Sequence, residues 1–160
     1  MNIKQTLLII LSASATAAPA AGQLVAASEE PVDITGDAAE FQDNKAVWAG
    51  DVRVTQAEAI LTTKRLEADL SDEGDFEKIT AIGDVRYSNG KQAITGKRAV
   101  YDNIARTITI SEDVLVTQGK QVMSAGKVIY WVDTGKVQFV PEPGKRIRGI
   151  FYTQSDDDQS

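Results

Sequence analysis

The chain has 160 residues, of which 42% are hydrophobic and 25% are charged, a balance typical of a globular domain rather than of a disordered or collagen-like chain. Its formal net charge is -6 and its 17 Lys and Arg residues are mostly scattered, which argues against a nucleic-acid partner because such binding needs clustered cations. The absence of Cys and His excludes thiol nucleophiles, Ser-His-Asp triads and zinc sites built on these residues.

The first 22 residues have the layout of a secretory signal peptide. Lys4 supplies a positive charge, and TLLIILSASATAAPAA then gives an apolar stretch that fades into the small residues of an A-x-A cleavage site. Cleavage after Ala20 and after Gly22 both fit, and we favour the second. The alternative is an uncleaved membrane anchor, but only the segment LLIIL is strongly hydrophobic and a spanning helix needs about 20 apolar residues. We therefore expect an exported protein, with residues 23–30 as a linker.

Two short sequences alternate along the remaining chain. The first occurs as VWAGDVRVTQ, TAIGDVRYSN and ITISEDVLVTQ, and the second as ILTTKRLEAD, AITGKRAVYD and VMSAGKVIYWVD. A further copy of the second, DITGDAAEFQDN, opens the domain at residues 33–44. Each sequence recurs about every 30 residues, a period that predicts a stacked architecture.

Apolar and polar residues alternate within each copy, as in a strand with one buried face. The alternation is less regular in the second sequence, where Lys64, Lys97 and Lys127 share the parity of the apolar residues, and a β-bulge would reorient them. Turn-forming segments such as SDEGD and VDTGK separate the copies, so each repeat is predicted to be a β-hairpin.

Stacked hairpins with apolar faces on one side must bury these faces against each other. We therefore predict an all-β fold, a twisted antiparallel jelly roll or two-sheet sandwich that is open at both ends. The terminal strands of such a sandwich carry unpaired N–H and C=O groups, and contacts between unlike ends extend into a filament.

The signal peptide, the alternating GDVxVTQ and ITGKRAxYD sequences and the chain length resemble the LptA (OstA-like) family of periplasmic lipopolysaccharide-transport proteins over residues 31–140. The resemblance implies a β-jelly roll that joins itself head to tail and bridges the two membranes for outer-membrane assembly. It implies lipopolysaccharide as ligand, with the lipid A acyl chains in a groove between the sheets. It also implies two partners, an LptC-like inner-membrane protein and an LptD-like outer-membrane translocon.

Given this resemblance, the inward residues are candidates for lipid contact, and plain core packing is the alternative for each. Ile34 and Tyr101 are assigned to the groove by matching motifs, while Trp48, Tyr87 and Phe139 are favoured for their size. The predicted lipid-binding set is Ile34, Trp48, Val52, Val54, Leu66, Val85, Tyr87, Tyr101, Ile108, Ile110, Val114, Val116, Ile129 and Phe139.

The end of the chain, residues 141–160, is predicted to be an extension with a disordered acidic terminus, SDDDQS. It carries a small basic group, Lys145, Arg146 and Arg148, beside apolar residues. This group would contact lipid phosphates or dock the next protomer, and the favoured alternative is a solvated extension.

We expect neither catalysis nor a metal or cofactor. The repeated Asp51, Asp84 and Asp113 occupy equivalent positions, which indicates a structural role, and no carboxylate pair has the distinctive spacing of a carbohydrate-active enzyme. Two alternatives remain open: such an enzyme, and a structural filament of the envelope without lipid cargo. An anchored LptC-like protein would need a longer apolar N-terminus, and an LptD-like domain would precede a large barrel.

Overall fold

The computed structural model describes residues 30–152, so the predicted signal peptide, most of the predicted linker and the acidic end lie outside the described residues. No helix in the described part is long and apolar enough to cross a membrane. The described part contains ten strands: β1 (Asp33–Thr35), β2 (Ala38–Gln42), β3 (Lys45–Gln56), β4 (Ala59–Leu70), β5 (Phe76–Ser88), β6 (Gln92–Asp102), β7 (Thr107–Gln118), β8 (Gln121–Trp131), β9 (Val137–Val140) and β10 (Arg148–Ile150).

The long strands β3 to β8 form an antiparallel meander in which each strand pairs with the next. At one end β1 and β2 both pair with β3, and at the other end β9 and β10 both pair with β8. The predicted antiparallel all-β fold with open ends is confirmed. All ten strands belong to one continuous sheet. This sheet includes β10, which lies in the predicted C-terminal extension.

Each long strand is interrupted near its middle by a break in register. In β5 the pairing with β6 shifts between Ile82 and Val85, and the two residues between them, Gly83 and Asp84, have positive φ angles of 84° and 46°. Two consecutive left-handed residues bend a strand sharply, and glycine accepts such angles without steric cost. Positive φ angles also occur in β3 at Gly50 (76°) and Asp51 (41°) and in β7 at Glu112 (67°) and Asp113 (53°).

These breaks align across the sheet and define a bend line. Near it, the Thr63 hydroxyl on β4 lies 2.9 Å from the carbonyl oxygens of both Ile82 and Gly83, and its one proton is shared between them. Such bonds satisfy carbonyl groups beside the interrupted ladder, which would otherwise be costly to bury. Because the repeated aspartates Asp51, Asp84 and Asp113 have positive φ angles at these breaks, they are bend residues.

The bend folds the sheet over its own apolar face. Each long strand contributes one segment, or arm, on either side of the bend line. Leu66, Ala81 and Val128 on the first arm and Val85 and Ile94 on the second belong to one contiguous cluster of buried side chains. The two arms thus form the two layers predicted from the sequence, joined through the bend rather than as separate sheets.

The predicted bulges of the second sequence are confirmed, and they reverse the strand parity. On β5, Ala81 and Val85 are both buried and lie an even number of residues apart, so the alternation continues through the bend. On β6, Ile94 and Ala99 are both buried but lie an odd number apart. The odd-numbered strands have two residues in the bend and the even-numbered strands have one. An even-numbered strand therefore changes the parity of its inward residues at the bend, and an alternation continued through its lysine assigns the next residues to the wrong face.

Opposite charges meet along the outside of the bend. Lys64 Nζ lies 2.7 Å from Asp84 Oδ2, and Lys97 Nζ lies 2.6 Å from Asp113 Oδ2. In each pair the hydrogen bond from the lysine, and after it the lysine charge, lowers the pKa of the aspartate below its ordinary value of 3.8. The carboxylates likewise raise the pKa of Lys64 and Lys97. These pairs join neighbouring hairpins at the point where the ladder is interrupted.

Replacing Glu112 by Gly is expected to stabilise the fold. Glu112 has a φ of 67°, a left-handed angle that costs a residue with a Cβ about 1 to 2 kcal/mol. Glycine also adds conformational entropy to the unfolded chain, which offsets part of this gain. Glu112→Gly should therefore raise the free energy of unfolding by up to about 1 kcal/mol in urea titrations. The matched change Gly83→Ala should lower it, and a loss of stability in Glu112→Gly would contradict this account.

The bend ion pairs predict a specific acid dependence. A carboxylate whose pKa falls on folding stabilises the fold above its unfolded pKa, and this contribution disappears as the pH drops through the lower folded pKa. For Asp84 and Asp113 the loss begins near 3.8 and continues below it. In urea titrations from about pH 5 to about pH 2, the variant Asp84→Asn/Asp113→Asn should therefore lose less stability than the parent.

The variant Lys64→Met/Lys97→Met provides the matched control, since it removes the other partner of each pair. It should show the same shallower acid dependence, and about 1 M salt should reduce the difference from the parent because these side chains are exposed. Identical slopes in the parent and both double variants would show that the pairs do not contribute.

Candidate functional site

The inner faces of the two arms form an apolar trough, defined by the rows of inward side chains that cross the strands. The first-arm rows are Trp48, Leu66, Ala81, Ala99, Ile110, Val128 and Phe139, and, nearer the turns, Ala46, Ala68, Ile79, Tyr101, Ile108, Tyr130 and Val137. The second-arm row nearer the turns is Ile34, Val54, Leu61, Tyr87, Ile94, Val116 and Met123.

Burial along these rows is graded. In the middle of the sheet Val85 and Ile94 are each 1% exposed and Val114 is 2% exposed, so these side chains belong to a closed core. Other inward residues pack against this core and are only partly buried, both at the ends of the strand order, such as Ile34 and Phe139, and on the middle strands, such as Tyr87 and Ile108. The trough therefore has a closed core, with accessible apolar surface at its ends and in the rows nearer the turns.

The predicted lipid-binding residues divide accordingly. Six of them are core residues that a ligand reaches only if the arms separate: Val52, Leu66, Val85, Ile110, Val114 and Val116. Six pack against this core and remain partly accessible: Ile34, Trp48, Val54, Tyr87, Ile108 and Phe139. The first group has the burial expected of core packing, and the second has the accessibility that a binding surface needs, so lipid contact stays a prediction for the second group.

The inward parity predicted for Ile129 is wrong. Ile129 lies between Val128 and Tyr130, which are each 2% exposed and belong to the core, and it pairs with Thr109 on the outer parity. The reversal at Gly126 and Lys127 explains the error. Ile129 therefore faces away from the trough.

Tyr101 occupies an inner row, but its hydroxyl belongs to a polar cluster at the β6–β7 turn. The hydroxyl donates to Asn103 Oδ1 at 2.8 Å, and Arg106 Nη1 donates to the hydroxyl at 3.2 Å. Arg106 Nε also donates to Asp133 at 3.1 Å, which joins this turn to the β8–β9 turn. Tyr101 thus lies at the rim of the trough, with its polar end held outside.

Two further tyrosines lie in inner rows: Tyr87 is partly buried on the second arm, and Tyr130 is buried in the core on the first arm. Burial raises the pKa of Tyr87 above its ordinary value of 10.0, and Tyr130 lies close enough to add to that rise. Burial also raises the pKa of Tyr130. Tyr87 on the second arm packs against the core cluster that includes Tyr130 on the first arm, so this cluster joins the two arms.

Sequence reasoning missed Leu61, Ile94, Tyr130 and Val137 among the inward residues. Leu61 was missed because the even-strand bulge places it inside in place of Ile60. The signal was present in the lysines of the second sequence, which would otherwise have been buried without partners. Leu61 and Val137 are partly buried against the core, so they extend the accessible lining.

Other chemistry is sparse in the described part of the chain. No group of three or more acidic residues there is placed to hold a metal ion. A surface depression of about 570 Å³ lies at the β2–β3 turn, between residues such as Glu40, Asp43 and Asp69. These side chains are on the turn and the outer face, so the depression is separate from the trough.

Comparisons with known proteins agree with this geometry. The profile of a family described as "LptA/(LptD N-terminal domain) LPS transport protein" matches residues 33–136. The chain is similar to the lipopolysaccharide export system protein LptH of Pseudomonas aeruginosa, with 30% identity over 113 residues. That match covers 64% of this chain and 63% of the relative, so it spans less than two thirds of the relative's length.

A solved structure supports the fold. The crystal structure of LptH from Pseudomonas aeruginosa, described as the LptA-homologous periplasmic component of the lipopolysaccharide transport device, matches with a TM-score of 0.65. The match covers 78% of this chain and 97% of that chain at 23% sequence identity. The chain therefore has the same architecture as that component.

A pair of alanine variants tests the assignment of faces. Leu66 is 2% exposed within the core, so Leu66→Ala should lower the free energy of unfolding by about 2 to 5 kcal/mol. Ile129 loses less contact on the outer face, and Ile129→Ala should cost less than about 1 kcal/mol in the same urea titration. Equal losses would mean that Ile129 is packed in the core.

Proposed function

Since this chain belongs to the family of LptA and the LptD N-terminal domain, we propose that it carries lipopolysaccharide through the periplasm with the acyl chains in the trough. The observation that carries the proposal is the band of inward, partly accessible apolar residues along both arms. The proposed activity is binding and transfer of a lipid rather than catalysis.

The chemistry of the trough supports an acyl-chain ligand. Each CH₂ group removed from water contributes about 0.8 kcal/mol, so an amphiphile crossing an aqueous compartment needs a long apolar surface. Ile34, Trp48 and Val54 supply such surface near the β1–β2 end, and Met123 and Phe139 supply it near the β9–β10 end. Lipid tails bound there would continue the core rather than replace it.

The predicted export of the chain supports a periplasmic location. The N-terminal sequence has the layout of a signal peptide, and the solved relative is described as a periplasmic component. A protein with no Cys needs no oxidative folding in that compartment. We therefore place the mature protein in the periplasm.

The open ends support assembly into a bridge. The edge of β1 and β2 and the edge of β9 and β10 each have one side without a partner strand in the described chain, and a second copy added there would extend both the sheet and the trough. We propose head-to-tail joining of copies between the membranes. The shared family profile supports an LptD-like N-terminal domain as one terminal partner, and an LptC-like protein would take the other end.

Site-specific photocrosslinking in the intact envelope tests the proposal. A photoreactive residue at Tyr87, which is inward and partly accessible, should form adducts detected with antibody against lipopolysaccharide. The matched control replaces Ile129, an apolar residue on the outer face, and should form no such adduct. The expected result is lipopolysaccharide crosslinking at Tyr87 alone.

Either of two other results would overturn the proposal. Adducts of equal strength at both positions would indicate lipid association without use of the trough. Filaments that form while neither position crosslinks would favour a structural filament without lipid cargo.

A further inference from the structure

The two open edges of the sheet carry opposite charge. Residues 30–42, which include β1 and β2, contain four carboxylates and no Lys or Arg: Glu30, Asp33, Asp37 and Glu40. Residues 137–152, which include β9 and β10, contain three cations, Lys145, Arg146 and Arg148, and one carboxylate, Glu142. The acidic edge and the basic edge, defined by these two segments, lie at opposite ends of the strand order.

The same edges also expose apolar side chains. On the acidic edge Phe41 is 68% exposed, although its ring meets Trp48 edge-on at a centroid distance of 5.4 Å. On the basic edge Phe151 and Tyr152 are 60% and 65% exposed. Exposed aromatic groups beside unpaired strand edges are typical of protein interfaces.

The bend line shows why the ends differ. Inside the sheet a lysine on one strand meets the aspartate of the next, as with Lys97 and Asp113. At the acidic edge the equivalent of Lys97 in ITGK is Asp37 in ITGD, beside the bend that holds Asp51. Neither Asp37 nor Asp51 forms an ion pair with a cation of residues 30–152.

The basic edge has the opposite excess. Lys145 contacts Glu142 and lies near enough to Asp113 to help lower the pKa of that carboxyl. Lys127, Arg146 and Arg148 form no ion pair within residues 30–152. Cations are therefore left over at one end of the bend line and carboxylates at the other.

We propose that the acidic edge of one copy docks on the basic edge of the next, and that charge fixes the direction of joining. This inference rests on the proposed head-to-tail assembly and adds what determines its polarity. Joining two acidic edges, or two basic edges, would place like charges in contact, which opposes a symmetric dimer. Alternation of charge along the bend line would then continue from one copy into the next.

Charge reversal with rescue tests the proposal on the purified full chain by analytical ultracentrifugation. One variant carries Asp33→Lys, Asp37→Lys and Glu40→Lys, and the other carries Lys145→Glu, Arg146→Glu and Arg148→Glu. Each alone has two edges of the same sign, so its dissociation constant for self-association should rise by more than about tenfold. Mixing the two variants should restore assembly, because each then meets an edge of opposite sign.

A matched control carries the same number of reversals away from the edges: Glu58→Lys, Glu73→Lys and Glu77→Lys, all at exposed positions. It should assemble like the parent, and the parent should dissociate as salt rises to about 1 M, where the screening length is about 3 Å. Asp156, Asp157 and Asp158 lie beyond the described residues and are retained in every variant.

The outcomes separate the two proposals. If the parent assembles and both edge variants assemble equally well, the charge inference is overturned while head-to-tail joining stands. If the parent stays monomeric at every salt concentration, both fail. Loss of assembly without rescue in the mixture also overturns the inference when both variants keep the parent's circular dichroism spectrum and urea unfolding midpoint.

Discussion

The fold depends on one local constraint, which is that every long strand turns sharply at the same height. A strand that continued straight would leave one face of the sheet in water. Two consecutive left-handed residues, as at Gly83 and Asp84, fold the strand over instead and bring its apolar face against itself. The core, the trough and the alignment of outer charges all follow from the repetition of this bend.

Because one chain segment supplies both layers, each hairpin is a complete unit of the architecture. It contributes a bend, a piece of core and a piece of lining, and it contacts mainly the hairpins on either side. Repeat proteins of this kind gain length by adding units and have no preferred size. A terminal unit has a neighbour on one side only, which leaves its edge strands open to a further unit.

Sequence reasoning could predict the strands, their antiparallel pairing and the open ends, because the alternation and the repeat spacing are visible in the residues themselves. Inward residues of the odd-numbered strands, such as Val52 and Val85, were predicted correctly as the core face because the GDV bend preserves parity. The even-numbered strands lose a residue at the bend, so Ile129 was misplaced and Leu61 was overlooked.

Which inward residues are closed into the core and which stay accessible could not be predicted from the sequence, because this depends on distances between the arms. No pattern distinguishes Val114, which is closed into the core, from Ile108, which is partly accessible, since both are inward and β-branched. Their difference arises from how closely the facing arm approaches at each height. That approach is a property of the folded sheet, and it brings residues of both arms, such as Val128 and Ile94, into one core cluster.

The interruption of both edge strands limits the aggregation of an exposed sheet. An open β edge is a template for unwanted aggregation. Here β1 and β2 stop on either side of Gly36 and Asp37, and β9 and β10 are separated by a segment with Pro141 and Pro143. A straight strand from an unfolded neighbour could pair with only half of such an edge. A partner bent at the same position can pair with both halves, so the interruption disfavours pairing of an uncovered edge with a misfolded chain.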